Sequence, residues 1–237
     1  MLKHYLSIAC IAAVLAVLAV TVGAVPVEEV DPTDLHAAEV DAVVDYTEMT
    51  PEEMAEFLIF NGGLKLDDEV QEGGIARERL VQDELQIICT QARNQPSPEQ
   101  REKIIAEAQA SIQYPEGDIV LGDWEKGRQM AWSGFGYRLA PSLDDHDENP
   151  LGANCYNCHE FAGDRQGGTV GPSLKGYGKL RGDSQAILRL TYGIIYNAHS
   201  LFPCTQMPRQ GAKGLLSQEQ ILDIMAYLFD PESPVNQ

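Results

Sequence analysis

The sequence has little positive charge. It holds 17 Lys and Arg against 36 Asp and Glu in 237 residues, a formal charge of −19. Nucleic acid is excluded as a partner, because phosphate contacts need clustered cations. Cysteine is scarce, and five residues cannot build a disulfide scaffold. Alternation of apolar and polar residues is nowhere sustained, which excludes a sandwich or barrel. No internal repeat is present, which excludes a solenoid. There is one long apolar run, Tyr5 to Val22, too few for a bundle of membrane spans. What remains is an acidic chain with 44% apolar residues, enough for a globular core.

The apolar run decides the compartment. Lys3 and His4 precede it, and Val22-Gly23-Ala24 supplies small residues where a leader is cut. Residues 1–24 are expected to be a cleaved signal peptide, with an uncleaved anchor as the alternative. Cys10 lies before most of the run, which disfavours a lipid anchor there. The mature chain is expected in the periplasm, off the membrane, with Cys89, Cys155, Cys158 and Cys204 in an oxidising compartment.

An all-α fold is expected, in two parts. Residues 25–120 form an acidic, helical extension; residues 25–64 alone contain eleven Asp and Glu and no Lys or Arg. Thr50-Pro51 opens a helix whose apolar face is Phe57, Leu58 and Phe60, and Gly62-Gly63 closes it. One helix is predicted over 76–93, with Leu80, Leu85, Ile88 and Cys89 near one face. Ser97-Pro98-Glu99-Gln100 is a capping box that opens another, to about Ile112. A Pro- and Gly-containing linker, 114–122, leads to a second part, 121–237. There Asp123 caps a helix over 124–132, Asp183 or Ser184 opens one to about Tyr196, and Ser217 with Gln220 opens the last, to Phe229. Residues 163–182 read as a Gly-rich loop and 197–214 as an irregular strap.

Cys155-Tyr156-Asn157-Cys158-His159 is C-x-x-C-H, the attachment signature of c-type haem. Thiols three residues apart leave one helical turn together and both add to the haem vinyl groups. The adjacent imidazole, His159, then lies under the iron. A zinc site would need two further ligands at matching spacing, and no second C-x-x-C exists. One covalent haem c is therefore expected.

The second axial ligand must come from elsewhere. His36, His146, His199, Met49, Met54, Met130, Met207 and Met225 are the candidates. Met130 and Met225 fall inside helices and read as core filling. Met207 sits in the strap before Pro208, which favours an extended backbone and stiffens it. It is the chosen ligand, with His199 as rival; the bland role for His199 is an exposed loop residue. His/Met ligation raises the potential and favours electron transfer. A ligating imidazole also needs an acceptor for its other ring N–H. The loop Gly171-Pro172-Ser173-Leu174 offers the Pro172 carbonyl, and Pro172 and Leu174 are counted as cofactor-binding.

Gly127 inside a helix points to close approach of another helix, with Ala226 and Tyr227 as the expected contact. The pair resembles the crossing first and last helices of class I cytochromes c. Asp145-His146-Asp147-Glu148-Asn149 resembles a calcium loop superficially. Pro150 stands where Gly is needed and Tyr156 where a bidentate Glu is needed, so a solvated loop is expected.

Residues 152–159, the stretch from Gly168 to Gly178, Met207-Pro208-Arg209 and the ending Asp230 to Asn236 together resemble the sulfur-oxidation cytochromes of the SoxX family. Leu80-Val81-Gln82-Asp83 through Cys89 and Arg93-Asn94-Gln95-Pro96 resemble the helical extension of longer members. The resemblance implies a periplasmic heterodimer with SoxA, whose own haem is the catalytic centre of an L-cysteine S-thiosulfotransferase. That complex joins thiosulfate oxidatively to a cysteine of the carrier SoxYZ. The SoxX subunit passes the electrons to a soluble cytochrome c. The matching positions are Cys155, Cys158, His159 and Met207. No catalytic residue is assigned to this chain. A free-standing periplasmic electron carrier is the alternative.

With Cys155 and Cys158 consumed by haem, Cys89 and Cys204 are the remaining pair in an oxidising compartment, and a disulfide between them is expected. Two buried free thiols, or a thiol kept for an intermolecular bond, are the alternatives.

Overall fold

A computed structural model describes residues 45–137, 145–163 and 165–237. The expected leader, its cleavage site and His36 lie outside the described residues. The chain divides into two compact units, Met1–Met54 and Ala55–Gln237. In the first, Asp45 caps a 3₁₀ turn, Tyr46–Glu48, by accepting from the Thr47 N–H at 3.0 Å.

Helix α1 (Pro51–Phe60) begins as its sequence demands. Thr50 Oγ1 accepts from the Glu53 N–H at 3.2 Å, and the Glu53 carboxylate accepts from the Thr50 N–H at 2.8 Å. Its apolar face is not covered as expected, since no α1 residue is buried. Leu58 and Ile59 are exposed, and Phe60 instead lies under the Arg77 guanidinium.

The single helix predicted over 76–93 is two helices, α2 (Ala76–Leu80) and α3 (Glu84–Gln91). The reason is local. Val81 is extended, and Asp83 accepts from the Gln86 N–H while Gln86 accepts from the Asp83 N–H, each at 3.0 Å. A reciprocal cap starts a new helix instead of continuing the old one. Leu80 is thereby left exposed, while Leu85 and Cys89 are buried. Helix α4 (Pro98–Ala110) follows the Ser97/Gln100 capping box and buries Ile104 and Ala108 completely. The linker 114–122 carries no helix.

Helices α5 (Trp124–Trp132), α7 (Gln185–Tyr196) and α8 (Gln218–Phe229) have the bounds their sequences imply; Asp123 and Ser217 cap theirs, while Ser184 precedes α7 without a side-chain cap bond. A short helix, α6 (Tyr177–Arg181), interrupts the Gly-rich loop and was not legible in the sequence. Only isolated bridges, and no strand, occur among the described residues. The fold is all-α.

One core holds the C-terminal part together. It is built on Met130, Tyr156, Phe161, Tyr192, Ile221, Ile224, Met225 and Tyr227. Helix α5 packs on α8 through Gly127, where a Cβ would lie 1.9 Å from the Asp223 carbonyl oxygen and 2.9 Å from the Ile224 nitrogen. The closest approach is thus at Asp223 and Ile224, earlier on α8 than the expected Ala226 and Tyr227. It comes earlier on α8 because the buried Asp223 side chain also accepts from the Asp123 N–H at 2.7 Å. Gly127→Ala is expected to destabilise the protein by about 1–3 kcal/mol through overpacking, in spite of alanine's better helix propensity. Urea unfolding of the haem-loaded protein measures this; an unchanged midpoint would mean the helices are not in backbone contact.

The C-terminal tail is a polar latch. Asn236 is buried and donates to the carbonyls of Leu228 and Asp230 at 3.0 and 2.9 Å, while its own carbonyl accepts from the Lys179 N–H at 3.2 Å. Free carbonyls at the end of α8 are thereby paired, as buried backbone groups must be.

Residues on both sides of the linker belong to the same compact unit. Leu85, Cys89 and Ile104 share a small apolar cluster with Cys204, and Ile88 packs against it. Cys89 and Cys204 are joined by a disulfide, with Cα atoms 5.3 Å apart. Gln109 Nε2 donates to the Ser200 carbonyl at 3.2 Å, and Asn197 Nδ2 to Ser111 Oγ at 2.9 Å. The extension therefore lies directly on the strap.

Candidate functional site

The C-x-x-C-H segment is one tight turn. Cys155–Asn157 form a 3₁₀ turn, entered through Asn154 in the left-handed region at φ 48°. The N–H groups of Cys158 and His159 both donate to the Cys155 carbonyl, at 3.1 and 2.9 Å. Both thiols and the imidazole thus project from a single turn. Its entrance is tied to the end of α5, by Ala153 N–H to the Met130 carbonyl at 3.0 Å and Asn154 N–H to the Ser133 carbonyl at 2.8 Å. Its far side is held by α8. The Tyr156 and Tyr227 hydroxyls lie 2.7 Å apart in the interior, and Phe161 stacks on both rings.

The following loop folds back over the turn. Gly168 N–H donates to the Tyr156 carbonyl and Gly171 N–H to the Cys158 carbonyl, each at 2.7 Å. A Cβ at Gly171 would stand 2.3 Å from His159 Cε1, and one at Gly168 would stand 2.1 Å from the Asn157 oxygen. The glycines are there because backbone runs against the imidazole and the turn. His159 Nδ1 lies 2.8 Å from the Pro172 carbonyl oxygen. A carbonyl only accepts, so Nδ1 carries the proton and Nε2 keeps its lone pair for a metal. Leu174 and Cys155 pack on the same core cluster.

Met207 packs on that cluster too, half-buried. Its N–H donates to Thr205 Oγ1 at 3.3 Å. Gln210 Nε2 reaches the Ala153 carbonyl at 3.4 Å, next to the attachment turn. Gly211 and Ala212 N–H groups both donate to the Tyr196 carbonyl, at 3.1 and 3.0 Å, and the Tyr196 ring fills the space a Gly211 side chain would need. The strap is therefore fixed to the end of α7 and to the entrance of the turn.

His199 is not an exposed loop residue. It lies buried in a 3₁₀ turn, Ala198–Ser200, against α4. Nδ1 has no hydrogen-bond partner among the described residues. Burial pushes its pKa down and the nearby Arg209 charge lowers it further, which favours the neutral ring. The loop 145–149 is solvated as expected, with Asp145, Asp147 and Glu148 exposed, and within it the half-buried His146 has Nε2 2.9 Å from Glu72 Oε1.

Two contacts at the site were missed by reading residues singly. Asp83 Oδ2 accepts from Arg209 Nη2 at 2.8 Å and Lys213 Nζ at 2.6 Å. Burial works against this carboxylate, but hydrogen bonds from Lys213, Gln86 N–H and Arg209 prevail and hold its pKa at about 2. The Tyr156–Tyr227 pair was equally invisible, because its members are 71 residues apart.

The donor set suits covalent haem. Cys155 and Cys158 are not bonded to each other. Burial pushes the Cys155 thiol up to about 12, the opposite of the lowered value that a disulfide-exchanging C-x-x-C needs. No group of three or more His, Cys, Asp or Glu converges among the described residues in a way that could hold a metal ion. Two thiols for the vinyl groups and a free Nε2 for iron fit well.

Comparison with known proteins agrees. The sequence pattern of the cytochrome c family matches residues 151–230. A protein of Aquifex aeolicus (strain VF5), described as an uncharacterized lipoprotein, is 43% identical over 138 residues, which is 57% of this chain. The chain spans 63% of that relative's length. Residues 151–230 are a cytochrome c domain, the module of electron-transfer proteins that carry covalent haem.

Proposed function

We propose that this chain is the monohaem electron-transfer subunit of a periplasmic SoxAX-type complex. One observation carries the reading. A helical extension of the kind seen in longer SoxX members is bonded to the Met207 strap through Cys89–Cys204. The runs 152–159, 168–178 and Met207-Pro208-Arg209 support it.

In this reading Cys155 and Cys158 would hold one haem covalently, and His159 Nε2 and Met207 Sδ would bind its iron. The group would supply one-electron transfer at a raised potential. The Pro172 carbonyl fixes the His159 tautomer and ring plane. The core of Tyr156, Phe161 and Tyr227 anchors the attachment turn through the buried Tyr156 ring. Joining thiosulfate to a carrier cysteine forms an S–S bond and releases two electrons and one proton. The catalytic centre for that step belongs to a SoxA-type partner, the cysteine to a SoxYZ-type carrier. This chain takes the electrons singly and passes them to a soluble cytochrome c.

The Aquifex relative's description as a lipoprotein supports a setting at a membrane surface. In this chain Cys10 precedes most of the apolar run, so a cleaved leader is the reading kept. No helix among the described residues is long and apolar enough to cross a membrane.

The test is affinity purification of the tagged full chain from its native periplasm. A second haem-bearing subunit in equimolar amount is the expected result. A chain that purifies alone, with full haem content, would be a free-standing carrier.

A further inference from the structure

We propose that Asp83 is a positioning residue for the Met207 thioether, gripping the ligand strap through Arg209 and Lys213. The inference rests on the His/Met reading above. It starts from helix α3, which holds the strap at two places. Cys89, in its second turn, is bonded to Cys204, three residues before Met207. Asp83, its N-cap, takes Arg209 and Lys213, two and six residues after Met207, on a single carboxylate oxygen. Six residues of helix separate the two anchors, about 9 Å. Met207 lies on the stretch between them.

The ionic anchor is built to be rigid. Arg209 is 8% exposed, and the Lys213 N–H donates to the Arg209 carbonyl at 3.0 Å, so both cations rise from one turn. Asp83 keeps its other oxygen on the Gln86 N–H at 3.0 Å, which locks the carboxylate to the helix end. The helix dipole favours a negative charge at that place. Removing the charge would leave Arg209 buried without compensation, and breaking one side of such a pair is costly. The guanidinium would turn toward water. Pro208, with its fixed φ, would carry that movement into Met207.

The experiment measures imidazole binding to the oxidised, haem-loaded full chain. Imidazole competes for the iron position that the thioether leaves, so its affinity reads how firmly the strap is held. Asp83→Asn is the first variant, because Asn caps a helix as well as Asp does and α3 should stay intact. Arg209→Gln is the second. Each is expected to raise imidazole affinity about tenfold, and the double variant no more than Asp83→Asn alone, since that change already removes the Arg209 contact together with the Lys213 one. Arg209→Lys is expected to restore part of the loss. A role in stability alone would lower the melting temperature and leave imidazole affinity unchanged. Affinity within twofold of the parent in Asp83→Asn and Arg209→Gln, with the sulfur–iron band lost in Met207→Ala, would overturn the role of Asp83 alone. A band that survives Met207→Ala would overturn the ligand reading, and this proposal with it.

Discussion

Met207→Ala is expected to abolish the sulfur-to-iron charge-transfer band near the red end of the oxidised spectrum. The midpoint potential is expected to fall by on the order of 100 mV, nearly two powers of ten in a one-electron equilibrium. A thioether is a soft, neutral donor that favours the reduced metal, and alanine has no donor at all. Haem content is expected to remain full, because Cys155, Cys158 and His159 come from a turn that does not include the strap. The half-buried place of Met207 on the core that also carries Cys155 and Leu174 motivates the experiment. Absorbance of the oxidised protein and a redox titration decide it. An unchanged band would remove Met207 from the iron. His199 would then be a poor substitute as it stands, since its buried ring sits in the seam with α4.

The double variant Cys89→Ser/Cys204→Ser is expected to show the largest loss of stability. The bond closes a loop across 115 residues. The chain-entropy model gives up to about 4–5 kcal/mol for such a loop, and real values are often lower. At roughly 2–4 °C per kcal/mol for a chain of this size, the melting temperature falls by up to about 20 °C. The two sulfurs also lie within the cluster of Leu85 and Ile104, so the serines would bury hydroxyls there. Calorimetry on the haem-loaded protein measures the loss. Thiol counting on the denatured, unreduced parent is the companion test. Two free thiols per chain would mean the bond is absent in solution, and the double variant would then melt near the parent temperature.

Much of the local structure could be read from residues that act on near neighbours. Thr50 with Glu53, Ser97 with Gln100, Asp123 with Glu125 and Ser217 with Gln220 cap helices where the chain order places them. Such contacts close within one turn, so short spacing determines them. C-x-x-C-H belongs to the same class, since its two thiols and imidazole need only a single turn. The Asp83/Gln86 box also closes within one turn. The apolar spacing of Leu80, Leu85 and Cys89 predicts one helix because that pattern does not register an interruption of three residues.

Tertiary structure decided whatever depends on distant segments meeting. Gly127 announced a close contact, but its place on α8 was set by the buried Asp223 carboxylate, which also binds the Asp123 N–H. His199 lies in a segment that reads as an exposed loop, and α4, which precedes it by some ninety residues, covers it. Arg209 follows Met207-Pro208 in the sequence with no sign of its partner. Only folding brings Asp83 to it, 126 residues away in the chain. Spacing carries information over the few residues that a turn spans. Beyond that, burial and pairing depend on which surfaces the whole core leaves to be covered.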